Sequence, residues 1–587
     1  MNQTPPTFTA TYRAVTRPVD LTVAVGVALL LVQMASGFAY HGVTHVSYFA
    51  DVVYALLAAA CIRLVQRRLR AADVDPVVSW PITLACGSFI FVTLTIWLAL
   101  ALRPLDALPG VALVSAIGKS LLLVLLVLLR IRVVLQLTSR VVQHAYVLSP
   151  PAAVVVSFAT AIAFGTLLLS LPEAKPGAGA TPVLDALFTS TSATCVTGLI
   201  VRDTPVDFSR FGLVTILLLI QAGGLGIMTL GGVFSAAFSQ KVSLHQRLLA
   251  HDTLIIQERG RLADTLRAVA SYTFVCEAIG ALVLFLRWWH LGEPPLRALY
   301  LAVFHSISAF CNAGFSLFSD SLESYHADPW ICHTIVLLIL VGGIGFPVVL
   351  DLHGYWWRRR QGLRARLSLH TRLTLITTAA LLLIGFVGFL ILEANATLQP
   401  LSWSGRLGAA WFQAVTPRTA GYNTVPMAGL ADATKFLMVL LMFVGASPGS
   451  TGGGIKTTTL ATLAALSRAM IHGHSGVHVL GRDIPEAVRH RAIAIIILFG
   501  MSVLVWTFTL AVTERGTFID ILFETVSAFG TVGLSIGVTR GLTAFGKLVL
   551  SLAMYMGRVG PLTIALALAA RHRPPEMRHP EEPVMVG

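Results

Sequence analysis

Charged residues are scarce in this chain of 587 residues. Asp, Glu, Lys and Arg together make up 12% of the sequence, whereas hydrophobic residues make up 56%, and the mean hydropathy is +0.79. A series of soluble domains is excluded, because their surfaces need far more charge. Many apolar runs reach the roughly 20 residues that cross the hydrocarbon core of a bilayer. The sequence therefore predicts an all-α polytopic membrane protein.

Paired cysteines and catalytic motifs are also missing. The six cysteines form no Cys-x-x-Cys pair and lie mostly in apolar runs, so a disulfide framework or a metal site is not expected. No HExxH motif or other ligand spacing is present, and we expect neither an enzyme nor a covalent cofactor. The first apolar run, near Val23, lacks a small-residue cleavage site, so we expect no cleaved signal peptide.

Acidic residues are fewer than basic ones, and the formal net charge is +14. The basic residues cluster in alternate loops between apolar runs, which explains the excess by membrane orientation and not by nucleic-acid binding. This bias predicts that both termini are cytoplasmic and that the short repeated segments described next face outward. We expect the chain to lie in a bacterial inner (plasma) membrane.

One short phrase occurs four times. Each copy ends at a glycine, namely Gly198, Gly314, Gly421 and Gly533, and carries an aromatic residue ten positions earlier. The aspartate, the Leu-Phe pair and the Ser-Ala pair of the first copy recur at identical offsets in the last. The four segments that we call filters 1 to 4 are Cys195-Val196-Thr197-Gly198, Cys311-Asn312-Ala313-Gly314, Arg418-Thr419-Ala420-Gly421 and Gly530-Thr531-Val532-Gly533.

These segments suit the recognition of a dehydrated cation. A half-length helix followed by an extended, glycine-containing strand aims backbone carbonyls at such an ion, and glycine permits the backbone angles required. Short helices that end near one axis also place partial negative charge there. The alternative explanation is chance, since Ser-Ala and Gly are common in membrane helices, but the matched offsets favour four quarters of one pore.

The phrase divides the chain into units. We predict four parallel repeats of span, pore helix, filter and span around one pore, preceded by four extra transmembrane helices, or twelve spans in all. The second unit has spans near 268–290 and 331–356. The predicted boundaries are a cytoplasmic tail at 1–18, a four-helix membrane domain at 19–149, pore repeats at 150–240, 241–357, 358–472 and 473–571, and a cytoplasmic tail at 572–587.

The second span of the third repeat contains a Gly-rich interruption at 445–459. Gly and Pro at this density do not continue a helix, so we predict an intramembrane gating loop below the filters; a plain helix kink is the alternative. Ile455 separates the last glycine from Lys456, and no strand precedes the stretch, which argues against a nucleotide-binding P-loop. The predicted gate residues are Gly445, Ser447, Gly449, Ser450, Thr451, Gly452, Gly453, Gly454, Lys456 and Arg558.

Arg558 lies in the last apolar run, where a charge is costly and faces a cavity or a partner. We predict that it lines the pore and bonds the gating loop; a salt bridge with Glu277 is the alternative. Lys456 either guards the pore or ends the loop. Lys119 more simply pairs or snorkels within the leading helices.

The filters and the loop resemble the superfamily of potassium transporters that includes the bacterial Trk and Ktr membrane subunits and the plant HKT proteins. The loop at 447–459 and the ending His579-Pro-Glu-Glu-Pro-Val-Met-Val-Gly587 look closest to the KtrB-type subunit. The resemblance covers about 150–587. The four leading spans depart from the usual compact Ktr subunit.

The resemblance implies potassium uptake, with the four filter glycines conferring potassium preference and Arg558 contacting the gate. It implies a homodimer docked on a cytosolic RCK-type nucleotide-binding subunit, with sodium as a candidate activator. We therefore expect gated passive uptake driven by the membrane potential. The alternative is a sodium- or proton-coupled cation symporter on the same scaffold, for which Glu277 is the candidate relay.

Overall fold

The computed structural model describes residues 150–177, 179–241, 262–473 and 476–564. The predicted tail at 1–18, the four-helix domain at 19–149, Lys119 and the C-terminal tail at 572–587 lie outside the described residues. Within these ranges the chain is mainly helical, and its β-structure is one small hairpin that pairs β1 (His478–Val479) with β2 (Arg482–Asp483).

The first unit has long helices on both sides of a short one. Helix α1 covers Pro150–Leu169, α2 covers Val183–Thr194 and α4 covers Arg210–Lys241, with a single turn, α3, at Thr204–Asp207 before the last. Helix α2 begins directly after Pro182, whose restricted backbone suits the position before a helix.

The second unit follows the same order but ends in a broken helix. Helix α5 covers Leu262–His290, α6 covers Pro295–Phe310, α7 covers Pro329–Gly343 and α8 covers Phe346–Arg360. Helices α7 and α8 meet at an angle of 93°. The span predicted near 331–356 is therefore interrupted after Gly343. Gly345 adopts a φ of 91° and Pro347 follows it, and neither residue continues a helix.

The third and fourth units complete the order. Helices α9, α10, α11 and α12 cover Leu369–Leu392, Trp403–Val415, Asp432–Phe443 and Thr457–Ile471; helices α13, α14 and α15 cover Glu486–Thr513, Phe518–Phe529 and Ala544–Val559. Hydroxyl side chains cap several of these helices: Ser402 accepts from Gly405 N, and Thr517 accepts from Asp520 N.

Apolar length supports a membrane protein. Three described helices are long and apolar enough to cross a bilayer, over Arg267–His290, Leu369–Leu392 and Glu486–Thr513, and the bent pair α7 and α8 passes if it is counted as one span. Shorter apolar helices cover Val154–Leu169 and Arg210–Gly226. The predicted total of twelve spans thus stays a prediction.

The short helices occupy the centre of the packing. Helix α2 packs against α1, α4 and α15, helix α6 against α5, α7 and α4, helix α10 against α9 and α7, and helix α14 against α13, α15 and α11. Each of the last three short helices therefore contacts a helix of the preceding unit, and the short helix of the first unit contacts α15 of the last. Each short helix buries one phenylalanine almost completely, namely Phe188, Phe304, Phe412 and Phe523.

Candidate functional site

Each short helix stops at the inner end of a filter, the end that adjoins the helix. The residues after the last helical positions are Cys195, Cys311, Thr416 and Gly530. Their backbone N–H groups still donate to carbonyls of the last helical turn, for example from Cys195 N to Thr191 O at 2.8 Å. All four helix C-termini, which carry partial negative charge, therefore adjoin the filter segments.

The filter backbones share one conformation. The residue two positions before each glycine has a left-handed φ: 55° at Val196, 60° at Asn312, 69° at Thr419 and 52° at Thr531. The glycines also have a positive φ, between 70° and 94°, whereas the residues between them do not. This alternation turns successive carbonyls to one side. A left-handed Val or Thr is strained by about 1–3 kcal/mol, and such strain concentrates at functional sites.

The four glycines lie next to one another in a closed ring. A Cβ atom built on Gly314 would lie 2.8 Å from Ala420 O, and one on Gly421 would lie 2.6 Å from Val532 O. A Cβ on Gly198 would overlap Ala313 O, and one on Gly533 would overlap Thr197 O. Each glycine therefore touches the carbonyl that precedes the next glycine, in the order filter 1, 2, 3, 4 and back to 1.

Hydroxyl groups of the short helices hold the filters. Ser192 Oγ accepts from Gly198 N at 3.0 Å, and Ser527 Oγ accepts from Gly533 N at 3.1 Å. In filter 2, Ser308 Oγ donates to Phe315 O at 2.8 Å. These three serines belong to the Ser-Ala pairs of the repeated phrase, so that part of the pattern reflects a local brace between helix and filter.

The interruption between α11 and α12 is a loop whose two ends are paired with each other. Residues 444–456 form no helix, and Val444 and Ile455 pair as an isolated β-bridge at its neck. The stretch is longer than a kink, and the helix resumes at Thr457, two residues before the predicted end of the loop. Ala446 N donates to Gly453 O at 3.2 Å, and Ser450 Oγ donates to Ser447 O at 2.6 Å.

The loop lies directly against the inner end of the filters. A Cβ atom on Gly452 would overlap Thr419 Oγ1, and one on Gly453 would overlap Thr531 Oγ1. Thr451 Oγ1 donates to Phe310 O, the last residue of α6, at 3.1 Å. A side chain at either loop position would therefore displace these filter hydroxyls.

The break between α7 and α8 receives the other side of the loop. Ser447 N donates to Gly343 O at 3.1 Å, Thr451 N to Gly342 O at 3.2 Å, and Phe346 N to Gly449 O at 3.1 Å. Sequence reasoning missed this contact surface, although the three glycines and the proline in Gly342-Gly343-Ile344-Gly345-Phe346-Pro347 were a signal for it.

Three basic side chains bind backbone carbonyls at the loop. Arg558 Nη1 donates to Thr451 O and Arg558 Nη2 to Gly223 O at 2.8 Å; Lys456 Nζ donates to Gly452 O at 2.7 Å. Arg418 Nη1 donates to Val444 O at 3.1 Å, so its side chain reaches the loop neck while its backbone belongs to filter 3. Within the described part of the chain, none of the three pairs with a carboxylate.

Glu277 lies beside the start of filter 2, where Cys311 Sγ donates to its Oε1 at 3.8 Å. It is buried next to Gln221, whose Nε2 donates to Glu277 Oε2 at 3.4 Å, and it forms no ion pair with Arg558. Of the two interpretations of Arg558, the contact with the Gly-rich loop therefore agrees with the geometry.

Polar contacts also hold the outer exits, the segments that follow the filter glycines. Asn423 Nδ2, two residues after Gly421, donates to Glu323 Oε1 at 2.7 Å. Burial raises the pKa of the Glu323 carboxyl, and the hydrogen bond from Asn423 partly opposes that effect. At filter 1, Arg202 and Asp185 form an ion pair at 2.7 Å.

Two ion pairs between units were not predicted. Asp185 of α2 pairs with Lys547 of α15 at 2.6 Å, and Asp520 of α14 pairs with Lys435 of α11 at 2.9 Å. Both lysines follow a filter glycine by 14 residues (435 − 421 and 547 − 533), a spacing that was a usable signal in the sequence.

An apolar helical bundle of this kind is an integral membrane protein, and at its centre each filter glycine lies against the carbonyl that precedes the next one. Residues 134–578 match the family model described as "TrkH: Cation transport protein". The chain therefore belongs to the TrkH family of cation transport proteins, whose activity is transport and not enzymatic catalysis. Most of the predicted domain at 19–149 precedes the match.

Individual relatives agree with this assignment. The chain is 37% identical over 444 residues to the Ktr system potassium uptake protein B of Vibrio alginolyticus, which covers 74% of this chain and 95% of that protein. It is 36% identical over 452 residues to the potassium/sodium uptake protein NtpJ of Enterococcus hirae, with 75% and 98% covered. The crystal structure of the potassium transporter TrkH from Vibrio parahaemolyticus matches with a TM-score of 0.61 at 20% identity, over 84% and 98% of the two chains.

Proposed function

We propose that this protein takes up potassium across the plasma membrane through a carbonyl-lined selectivity filter, built by four parallel repeats around one pore. The observation that carries the proposal is the closed ring in which each filter glycine touches the carbonyl preceding the next one. A ring of carbonyls replaces the hydration shell of a cation at little cost. The names of the related uptake proteins from Vibrio and Enterococcus support potassium as the ion.

The gating loop at 445–459 is the proposed gate. It lies against Thr419 and Thr531 at the inner end of the filters, where its backbone would obstruct an ion that leaves the ring. Arg418, Lys456 and Arg558, which bind carbonyls and no carboxylate of the described residues, add an electrostatic barrier to cation passage. Opening therefore requires the loop to leave its contacts with α7 and Arg558.

The driving force in this proposal is the membrane potential, which contributes about 2.3 kcal/mol per charge per 100 mV. For the coupled symporter, the candidate relay Glu277 accepts from Gln221 Nε2 at 3.4 Å and from Cys311 Sγ of filter 2 at 3.8 Å; these contacts fix the carboxylate and by themselves give no sign of ion coupling. Sodium as an activator is testable on the same protein, by measuring potassium uptake with and without external sodium.

The proposed assembly is a homodimer with a cytosolic RCK-type regulatory subunit, both termini being cytoplasmic. The basic loops that adjoin the gate-side ends of the helices, such as Arg358, Arg359 and Arg360 at the end of α8, support this orientation. Cross-linking of the detergent-solubilised protein measures the subunit number, and a monomer would contradict this part of the proposal.

The test of the filter is the substitution Gly198→Ser. Its Cβ would overlap Ala313 O at a φ of 94°, so the carbonyl has to move. We expect a potassium-transport-deficient bacterium that expresses this variant to lose discrimination against sodium by about tenfold, a shift of roughly 1.4 kcal/mol. Gly408→Ser is the matched control, because nothing lies within 4 Å of a Cβ there. Unchanged ion preference in Gly198→Ser would remove the filter assignment.

A further inference from the structure

The outer exits of filters 2 and 4 are held from equivalent positions of their short helices. His305 of α6 and Glu524 of α14 both lie nine residues before the filter glycine (314 − 305 and 533 − 524). Their exposed fractions are 0% and 1%. Apolar packing does not explain why a histidine and a glutamate are buried at equivalent positions. Buried polar side chains need hydrogen-bond partners, and the partners of these two residues show what they do.

Glu524 accepts three hydrogen bonds from the exit of filter 4. Ser535 Oγ donates to its Oε1 at 2.6 Å, Ile536 N donates to Oε1 at 3.1 Å, and Thr539 Oγ1 donates to Oε2 at 2.5 Å. Both carboxylate oxygens are therefore used, and every donor belongs to the segment that starts two residues after Gly533. Hydrogen bonds to a carboxylate are stronger than those between neutral groups.

His305 makes the corresponding contacts at filter 2. Its Nδ1 lies 2.8 Å from Leu301 O, which can only accept, so Nδ1 carries the proton and Nε2 is an acceptor. Nε2 accepts from Leu317 N at 3.3 Å and lies 3.1 Å from Ser316 Oγ. The partners are again the hydroxyl two residues after the glycine and the N–H three residues after it.

The other two filters use different residues for this task. Thr189 and Phe412 stand at the equivalent helix positions, and the exits of filters 1 and 3 are held instead by the Asp185–Arg202 and Glu323–Asn423 contacts. In the closed order of the ring, filters 2 and 4 are opposite each other. The contacts of His305 and Glu524 therefore lie on opposite sides of the ring.

These contacts bear directly on the positions of the carbonyls. The exit of filter 4 is joined to Gly533 through a single residue, Leu534, and Val532 O lies against Gly421 of filter 3. A change in the path of the exit therefore moves a carbonyl of the ring. Ion discrimination depends on the number and positions of such carbonyls, and displacements of less than 1 Å matter at a preorganised site.

We propose that Glu524 and His305 are positioning residues that hold the exits of filters 4 and 2 and so set the preference for potassium over sodium. This inference rests on the proposed filter function. It adds a specificity role for two residues that lie behind the pore lining and do not touch the ion.

The experiment uses the purified full-length protein in proteoliposomes, with potassium and sodium uptake measured side by side. Glu524→Gln keeps the shape but replaces one accepting oxygen by a donor, and we expect the potassium-to-sodium ratio to fall about tenfold, the effect of roughly one lost charge-assisted bond. Glu514→Gln is the matched control: Glu514 also accepts from a threonine hydroxyl and a backbone N–H, both of Thr543, away from the filter exits.

A second pair of variants removes the partner instead of the carboxylate. Ser535→Ala should lower the ratio, Ser535→Thr should retain it because the hydroxyl remains, and Ser535→Ala should add little once Glu524→Gln is present. This pair keeps the inference testable if Glu524→Gln does not fold. Equal potassium KM values and ion ratios in the wild type, Ser535→Ala and Ser535→Thr would overturn it.

The same assay separates this inference from the proposed function. If Gly198→Ser alters the ion ratio and Glu524→Gln with Ser535→Ala leaves it unchanged, the filter stands and the positioning role is refuted. If the wild type itself does not prefer potassium, the proposed function fails first, and the positioning role fails with it.

Discussion

Arg558 offers the sharpest test of the gate. The substitution Arg558→Met keeps much of the length and apolar contact of the side chain but removes both donors. The bond from Nη1 to Thr451 O joins α15 to the loop, and the bond from Nη2 to Gly223 O joins it to α4. Arg558 is 3% exposed as a whole residue, so little solvent is available to replace these bonds while the loop stays in place.

The size of the effect follows from the loop bond. A hydrogen bond from a charged donor contributes about 1.5–3 kcal/mol, which corresponds to a factor of about 10 to 150 in the ratio of closed to open loop. Loss of Arg558 also relieves its repulsion of Lys456 and Arg418, which favours the present loop position. This opposing effect reduces the shift to the lower end of the range of 10 to 150. We therefore expect the flux without any regulatory partner to rise about tenfold.

The measurement is thallium or potassium flux into proteoliposomes that contain the purified protein alone. Arg287→Met is the control, because it removes an arginine whose Nε donates at 2.7 Å to Asp328, the residue that caps the start of α7, and not to a carbonyl of the loop. We expect the control to match the wild-type flux. A flux in Arg558→Met equal to or below that of the wild type, at equal amounts of folded protein, would refute the role of Arg558 as a latch.

Two further predictions concern the backbone of the loop and the ion pair of Asp185. Deletion of Gly452 to Gly454 removes the carbonyls that bind Lys456 and the backbone that lies on Thr419 and Thr531, so potassium flux should rise; equal or lower flux would contradict the gate. Asp185→Asn removes the carboxylate that pairs with Lys547 at 2.6 Å and with Arg202 at 2.7 Å, and it should lower the free energy of unfolding by roughly 2–3 kcal/mol. The loss is smaller than for a fully buried pair because the two basic side chains are 20% and 41% exposed. An unchanged thermal midpoint in detergent would argue against this.

Several features of the filters followed from the sequence because they are local. The unusual backbone angles expected at the glycine that ends each repeated phrase are present as a positive φ, and the recurring serine, whose role was not predicted, bonds the backbone within seven residues. Gly and Pro density alone indicated that the helix is interrupted before Thr457. Composition alone indicated a membrane protein, since apolar helices of this length need lipid around them.

Sequence spacing suggested that four filters share an axis, but the order and contact of the glycines needed the tertiary structure, because they join residues more than 100 positions apart. The choice between Glu277 and the loop as partner of Arg558, the break between α7 and α8 against the loop, and the acceptors at His305 and Glu524 were decided in the same way. The pattern of residue types along the sequence specifies the local backbone conformation and which residues are buried. The hydrogen-bond partner of a buried polar group depends instead on which helices pack beside it.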